Sequence, residues 1–81
     1  MVTKSVRDLA RIACGIVLES RRVQELNIQE RFNEAYAEAC HLGDEALFKE
    51  ELYSEFRNID EKSYDNARKM AQRARKWMKT Q

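Results

Sequence analysis

The chain has no proline, two glycines, two cysteines and a single histidine among its 81 residues. Without proline, and with glycine only at positions 15 and 43, few sites force a helix to break. Abundant Ala, Glu, Lys, Arg, Leu and Gln then favour helix over strand throughout. Cys14 and Cys40 can form one bridge at most and belong to no Cys-x-x-Cys pair, so reduced thiols in a cytoplasmic setting are expected. With one histidine, no glycine-rich phosphate loop and no Ser/His/Asp or Cys/His motif, the expectation is a protein that is not an enzyme. Cys14, Cys40 and His41 do not suggest zinc, because adjacent helical residues point about 100° apart and a structural site usually takes four ligands. No metal or cofactor is expected.

Long hydrophobic runs are missing as well. The longest, Ile12 to Leu18, is too short to span a bilayer. Lys4, Arg7 and Arg11 precede it in the manner of a targeting segment. However, Asp8 interrupts the basic stretch and the run passes into Glu19, Ser20, Arg21 and Arg22 without a small-residue cleavage site. It reads as a core helix.

What the chain does have is charge sorted by position. Residues 1–24 carry five basic and two acidic side chains, residues 25–61 three and eleven, and residues 62–81 seven and one. A formal net charge of +1 therefore conceals a basic, an acidic and a second basic block. A chain of this length suits one domain with one small core, so residues 1–81 are read as a single helical domain in which a partner or second copy adds stability.

Hydrophobic periodicity divides that domain into about four helices, at 3–26, 28–42, 45–57 and 60–79. Val2, Val6, Leu9, Ala10, Ala13, Ile16, Val17 and Val23 form the inner stripe of the first, with Ile12 at its edge. Its opposite side carries Arg7, Arg11, Leu18 and Arg22. Leu18 on that basic face is either an ordinary surface leucine, one covered by the next helix, or a contact point for a partner. Asn27-Ile-Gln-Glu30 permits a capping box for the second helix, whose inner line is Ile28, Phe32, Ala35, Ala39 and Leu42. Gly43 can close it in the left-handed conformation and Asp44 can cap the third helix, giving a tight central hairpin. Phe48, Leu52, Phe56 and Ile59 line the third helix. Asn58 or Asp60 caps the fourth, where Tyr64, Ala67, Met70, Ala71, Ala74, Trp77 and Met78 share a stripe opposite Arg68, Lys69, Arg75, Lys76 and Lys79. Trp77 would act as a large anchor near the end.

The acidic residues step along helix ridges, Glu30, Glu34 and Glu38 on the second helix and Glu51 and Glu55 on the third. They are positioned to face the basic helices of the same molecule or of a second copy, choosing orientation more than holding the fold. His41, in the last turn of the second helix, either interacts with the C-terminal carbonyls or packs at the bend, with a functional switch as the alternative.

Three kinds of partner fit these surfaces. The basic face of the fourth helix could follow nucleic-acid phosphates, although no helix-turn-helix recognition pattern accompanies it. The same helix could rest on an anionic membrane surface, at the cost of detaching its apolar stripe from the core. Protein binding asks least of the sequence, and Arg7, Arg11, Leu18, Arg22, His41, Arg68, Lys69, Arg75, Lys76 and Lys79 are its candidate contacts.

The segment Val23-Gln-Glu-Leu-Asn-Ile-Gln-Glu-Arg-Phe32, the lone histidine in Cys40-His41-Leu42-Gly43-Asp44, and the size and helical pattern of the whole chain resemble the small cytoplasmic antiholins, the lysis-inhibition proteins of T-even-type phages. The resemblance implies a non-enzymatic cytoplasmic regulator that binds the cytoplasmic part of a membrane holin and delays lysis. It implies no catalytic residues, and singles out only His41 and its bend as determinants of binding. The reading is a protein-interaction regulator that can also form a homo-oligomer, with a small nucleic-acid-binding regulator as the alternative.

Overall fold

A computed structural model describes residues 4–22, 27–57 and 60–80. Four helices follow one another there: α1 (Val6–Ser20), α2 (Ile28–His41), α3 (Glu45–Arg57) and α4 (Glu61–Lys79). Several boundaries have a local chemical cause. Ser5 is extended before α1, its hydroxyl accepts the Asp8 N–H at 3.2 Å, and the Asp8 carboxylate accepts the Ser5 N–H at 3.1 Å. This reciprocal box satisfies two otherwise orphaned donors and starts the helix at Val6. The Ser5 backbone bond, then its hydroxyl, hold the Asp8 carboxyl below the usual carboxylate range.

The helix expected over residues 3–26 is therefore shorter at both ends. At the C-terminal end Arg21 and Arg22 form a turn, their N–H groups reaching the Leu18 and Glu19 carbonyls at 3.3 and 3.0 Å. The expected inner positions Val2 and Val23 lie outside the described residues.

At the start of α2 the expected Asn27–Glu30 box is not formed. Asn27 has φ −94° and ψ 2° rather than an extended backbone, and its side chain makes no capping bond. Its carbonyl still accepts the Arg31 N–H at 3.0 Å. The other end of α2 matches the sequence reading closely. Gly43 takes φ 82°, the Gly43 N–H bonds the Cys40 carbonyl at 2.9 Å, and the Asp44 N–H reaches back to Ala39 at 3.3 Å. That bond pair is the Schellman closure, and the left-handed residue is one that glycine adopts without a Cβ penalty. Asp44 then caps α3 by accepting the Leu47 N–H at 3.2 Å. Asp60 caps α4, accepting from Lys62 at 3.1 Å; Asn58, the other expected cap, lies outside the described residues, as does Ile59.

Around the bundle the helices are ordered α1, α2, α4, α3, so α1 faces α4 and α2 faces α3 across the diagonals. The hairpin is tight at Leu42–Asp44, while the bodies of its two arms pack mainly on α4 and α1. Every neighbouring pair in this ring joins a helix of the acidic block to one of a basic block. The core between them holds the expected stripes, with Leu9, Ala13, Val17, Phe32, Phe48, Leu52, Ala67 and Ala74 fully enclosed; Tyr36, which flanks the expected inner line of α2, is fully enclosed with them. Phe32, Tyr36 and Phe48 form an aromatic cluster in which Phe48 meets both neighbours edge-on, at 6.2 and 5.5 Å between centroids.

Two buried polar residues were not anticipated. Asn33 accepts from the Gln29 amide at 2.9 Å, and the same amide donates to the Met70 carbonyl at 3.1 Å, linking α2 to α4. Ser63 donates to Asp60 at 2.7 Å and accepts from Arg21 at 3.1 Å, linking the end of α1 to the start of α4. Both satisfy the requirement that a buried polar group keep a partner. Leu42, expected on the inner line of α2, is instead about half exposed, because it is the C-cap beyond the last helical turn.

Candidate functional site

The two sets of candidate contacts occupy opposite corners of the bundle. Arg7, Arg11, Leu18 and Arg22 are exposed on α1 or in the turn that follows it; Arg68, Lys69, Arg75, Lys76 and Lys79 are exposed on α4. Since α1 and α4 are diagonal, these sets do not converge on one site. Arg7 meets Glu51 of α3 at 3.4 Å, a pair of the kind expected between the blocks. Arg31 of α2 bonds Glu19 of α1 at 3.1 Å with the charges the other way round, and Arg21 pairs with Asp60 across a diagonal.

On α4 the cations are exposed, and Arg75 lies close enough to the bend for its charge to act on Tyr36, Cys40 and Glu45. Lys69 pairs with Asp65 on its own helix at 3.0 Å, and Arg68 lies over the Tyr64 ring at 5.9 Å. Among the described residues no acidic side chain comes within ion-pair distance of Arg73, Arg75, Lys76 or Lys79.

The bend beside His41 is tied from within. The buried Tyr36 hydroxyl donates to the Glu45 carboxylate, and Lys49 approaches the same oxygen at 3.1 Å. The Tyr36 bond is the leading reason that the Glu45 carboxyl is held below its usual range. Burial first, then the Glu45 bond and charge, push the Tyr36 hydroxyl up. Cys40 Sγ lies 3.7 Å from the other Glu45 oxygen, and burial and that carboxylate raise its thiol as well. Cys14 is a half-buried free thiol on α1, pushed up to about 11 by burial and by Glu55 and Glu51. The two cysteines therefore sit in environments that disfavour the reactive thiolate.

Between α1 and α2, with the end of α4 closing one side, runs a groove of about 530 Å³. Leu9, Ile12, Ile16, Ala35 and Trp77 give it an apolar floor, while Glu34, Glu38, Lys4 and Arg31 stand around it. A second hollow of about 300 Å³ continues it past His41 to Leu42. His41 itself is exposed and lines both, at the end of α2. Trp77, expected as a core anchor, is only half-buried and belongs to the groove.

Sequence reasoning placed His41 correctly at a bend but missed Ile12, Glu34, Glu38, Leu42 and Trp77 as lining residues. The one available signal was Ile12 at the margin of its stripe, where a side chain faces the seam between helices. No helix among the described residues is long and apolar enough to cross a membrane. The class defined by this geometry is a small all-α four-helix bundle with an apolar groove beside its central bend. No protein-family model, characterised protein or solved structure matches the chain.

Proposed function

We propose that this protein is a non-enzymatic regulator that works by binding another protein along the α1–α2 groove. The observation that carries the reading is the placement of exposed apolar surface. Among the described residues, all three large hydrophobic side chains left in solvent are Ile12, Leu18 and Leu42, at 40%, 50% and 48% exposure, and all lie on α1 or at the end of α2. Ile12 and Leu42 line the groove and its continuation, while Leu18 lies on the other flank of α1; single exposed hydrophobes are ordinary, but two beside a concave apolar floor are what a docking surface provides. The antiholin resemblance gives the partner a chemical identity: the cytoplasmic segment of a phage holin, met in the cytoplasm, with delay of lysis as the outcome.

Titration of a fluorescently labelled holin cytoplasmic segment with the purified protein tests this. Saturable binding is expected, weakened at least tenfold by Ile12→Asp, which places a charge at the groove floor without touching a buried residue. A segment that shows no binding up to millimolar protein removes the antiholin reading.

A second reading is favoured by a different observation, the exposed cations of α4. Its exposed face carries Lys62, Arg68, Lys69, Arg73, Arg75, Lys76 and Lys79 along one helix. A nucleic-acid-binding regulator would use that face on phosphates, leaving the core stripe in place. Affinity for random duplex or single-stranded DNA that falls steeply with salt, and is lost when Arg68, Lys69, Arg75 and Lys76 are neutralised, would favour it over protein binding.

A further inference from the structure

Gly15 stands in the middle of α1, exposed, and a Cβ at this position would meet no atom of the described residues within 4 Å. Nothing among the described residues calls for glycine there, although glycine is the poorest helix former after proline. At 100° per residue Gly15 is at the crest of the exposed arc of α1. One flank of that crest carries Arg11, Leu18 and Arg22; the other, beside the groove, carries Asp8, Ile12 and Glu19. Among the described residues Arg11, Arg22, Glu34 and Glu38 take part in no ion pair.

We propose that this face binds a second copy of the chain, in a two-fold dimer where each α1 lies parallel to its counterpart, closest at Gly15, and seats its Arg11–Leu18–Arg22 flank along the other copy's groove. A two-fold axis parallel to α1 keeps equivalent residues at the same level and sets each flank against the opposite one. Basic therefore meets acidic, and the interface is self-complementary. Within one molecule α1 and α2 run antiparallel, with Glu19 beside Arg31 and Leu9 lining the same hollow as Glu38. Arg11 of the second copy then falls at the level of Glu38 and within a turn of Glu34, Arg22 within a turn of Glu30, and Leu18 near the Ile16 end of the floor. Glycine lets the two backbones approach closely at the crossing, which explains its place on an otherwise ordinary helix surface.

Such a dimer covers the groove that the functional reading gives to a partner, so self-association and partner binding exclude each other. That exclusion rests on the functional reading; the dimer does not.

Sedimentation velocity on the full chain from micromolar to millimolar concentration, at low and high salt, tests the dimer. A monomer–dimer equilibrium weakened by salt is expected. Gly15→Gln should raise the thermal midpoint of the monomer yet weaken dimerisation by about tenfold or more, because a better helix former fills the crossing point. Arg11→Glu should abolish the dimer, and adding Glu34→Arg with Glu38→Arg should restore it. A chain that stays monomeric at millimolar concentration and low salt overturns the proposal, as does a dimer that survives both Gly15→Gln and Arg11→Glu. Failure of the charge exchange to restore association refutes the pairing of α1 with α2. Partner binding is scored separately by the holin-segment titration, so either reading can fail alone.

Discussion

Replacing Tyr36 by phenylalanine isolates one hydroxyl at the bend. The ring is fully enclosed and would keep its contacts with Phe32 and Phe48, so the change removes only the bond donated to Glu45. Hydrogen bonds to charged groups contribute about 1.5 to 3 kcal/mol, and the upper figure applies where the abandoned partner is stranded in the interior. Glu45 is not stranded: its side chain is 38% exposed and Lys49 remains 3.1 Å away. The expected loss is therefore near the lower limit, about 1 to 1.5 kcal/mol at pH 7, or roughly 4 to 12 °C in Tm for a domain of this size.

The loss should also depend on pH, with a fixed sign. Glu45 has its pKa lowered in the folded state, chiefly by Tyr36, so its stabilisation is present above the unfolded value near 4.5 and fades as pH falls through the folded value. The gap between wild type and Tyr36→Phe should be widest at neutral pH and narrow progressively as pH falls below the unfolded value near 4.5. Urea unfolding followed by helical circular dichroism at pH 7 and pH 3 measures both ends. A gap that is absent at pH 7, or equally wide at pH 3, would refute the charged bond as its source; Glu45→Gln in both backgrounds then gives the coupling directly.

Three further outcomes follow from single residues. Gly43→Ala should destabilise by about 1 to 2 kcal/mol through backbone strain alone, since φ is 82° and the space around a new Cβ is empty; an unchanged urea midpoint would contradict the left-handed closure. Cys14, pushed up to about 11 against an ordinary 9.0, should alkylate roughly 100-fold more slowly at pH 8 than an unperturbed thiol, and a rate equal to that of the unfolded chain would count against its burial. Ser63→Ala removes the leading cause of the depressed Asp60 carboxyl, so its titration, followed by NMR, should move up towards the usual range; no movement would place the effect elsewhere.

The fold was largely legible because each helix carries its own stripe and most boundaries carry their own chemistry. Gly43 and Asp44 could be read without knowledge of anything distant, since both act within a few residues. α1 was extended too far because Val2 and Val23 continue the apolar period, whereas Ser5-Val-Arg-Asp8 supplies a competing local stop. Asn27-Ile-Gln-Glu30 shows the converse: the right residues, on a backbone that does not turn the side chain towards the helix. Asn33 and Ser63 were invisible as buried groups because their settings depend on α4 and α1, some 40 residues away in the chain. The groove belongs to the same category. It is a property of the seam between two helices, and hydrophobic period alone does not say which stripe margin is left uncovered.

The ring order has a consequence for how the chain finds its structure. If α2 and α3 were neighbours instead of diagonals, the ridge of Glu30, Glu34 and Glu38 would run beside Glu51 and Glu55, and the cations of α4 would face those flanking α1. Each like-charged pair would cost only a few tenths of a kcal/mol, but the sum falls wholly on the misassembled bundle. The three charge blocks therefore penalise, as a filter would, a circuit of helices that the apolar stripes by themselves would accept. Added salt should blunt that filter, slowing productive collapse through misassembled bundles while leaving the finished core nearly as stable as before.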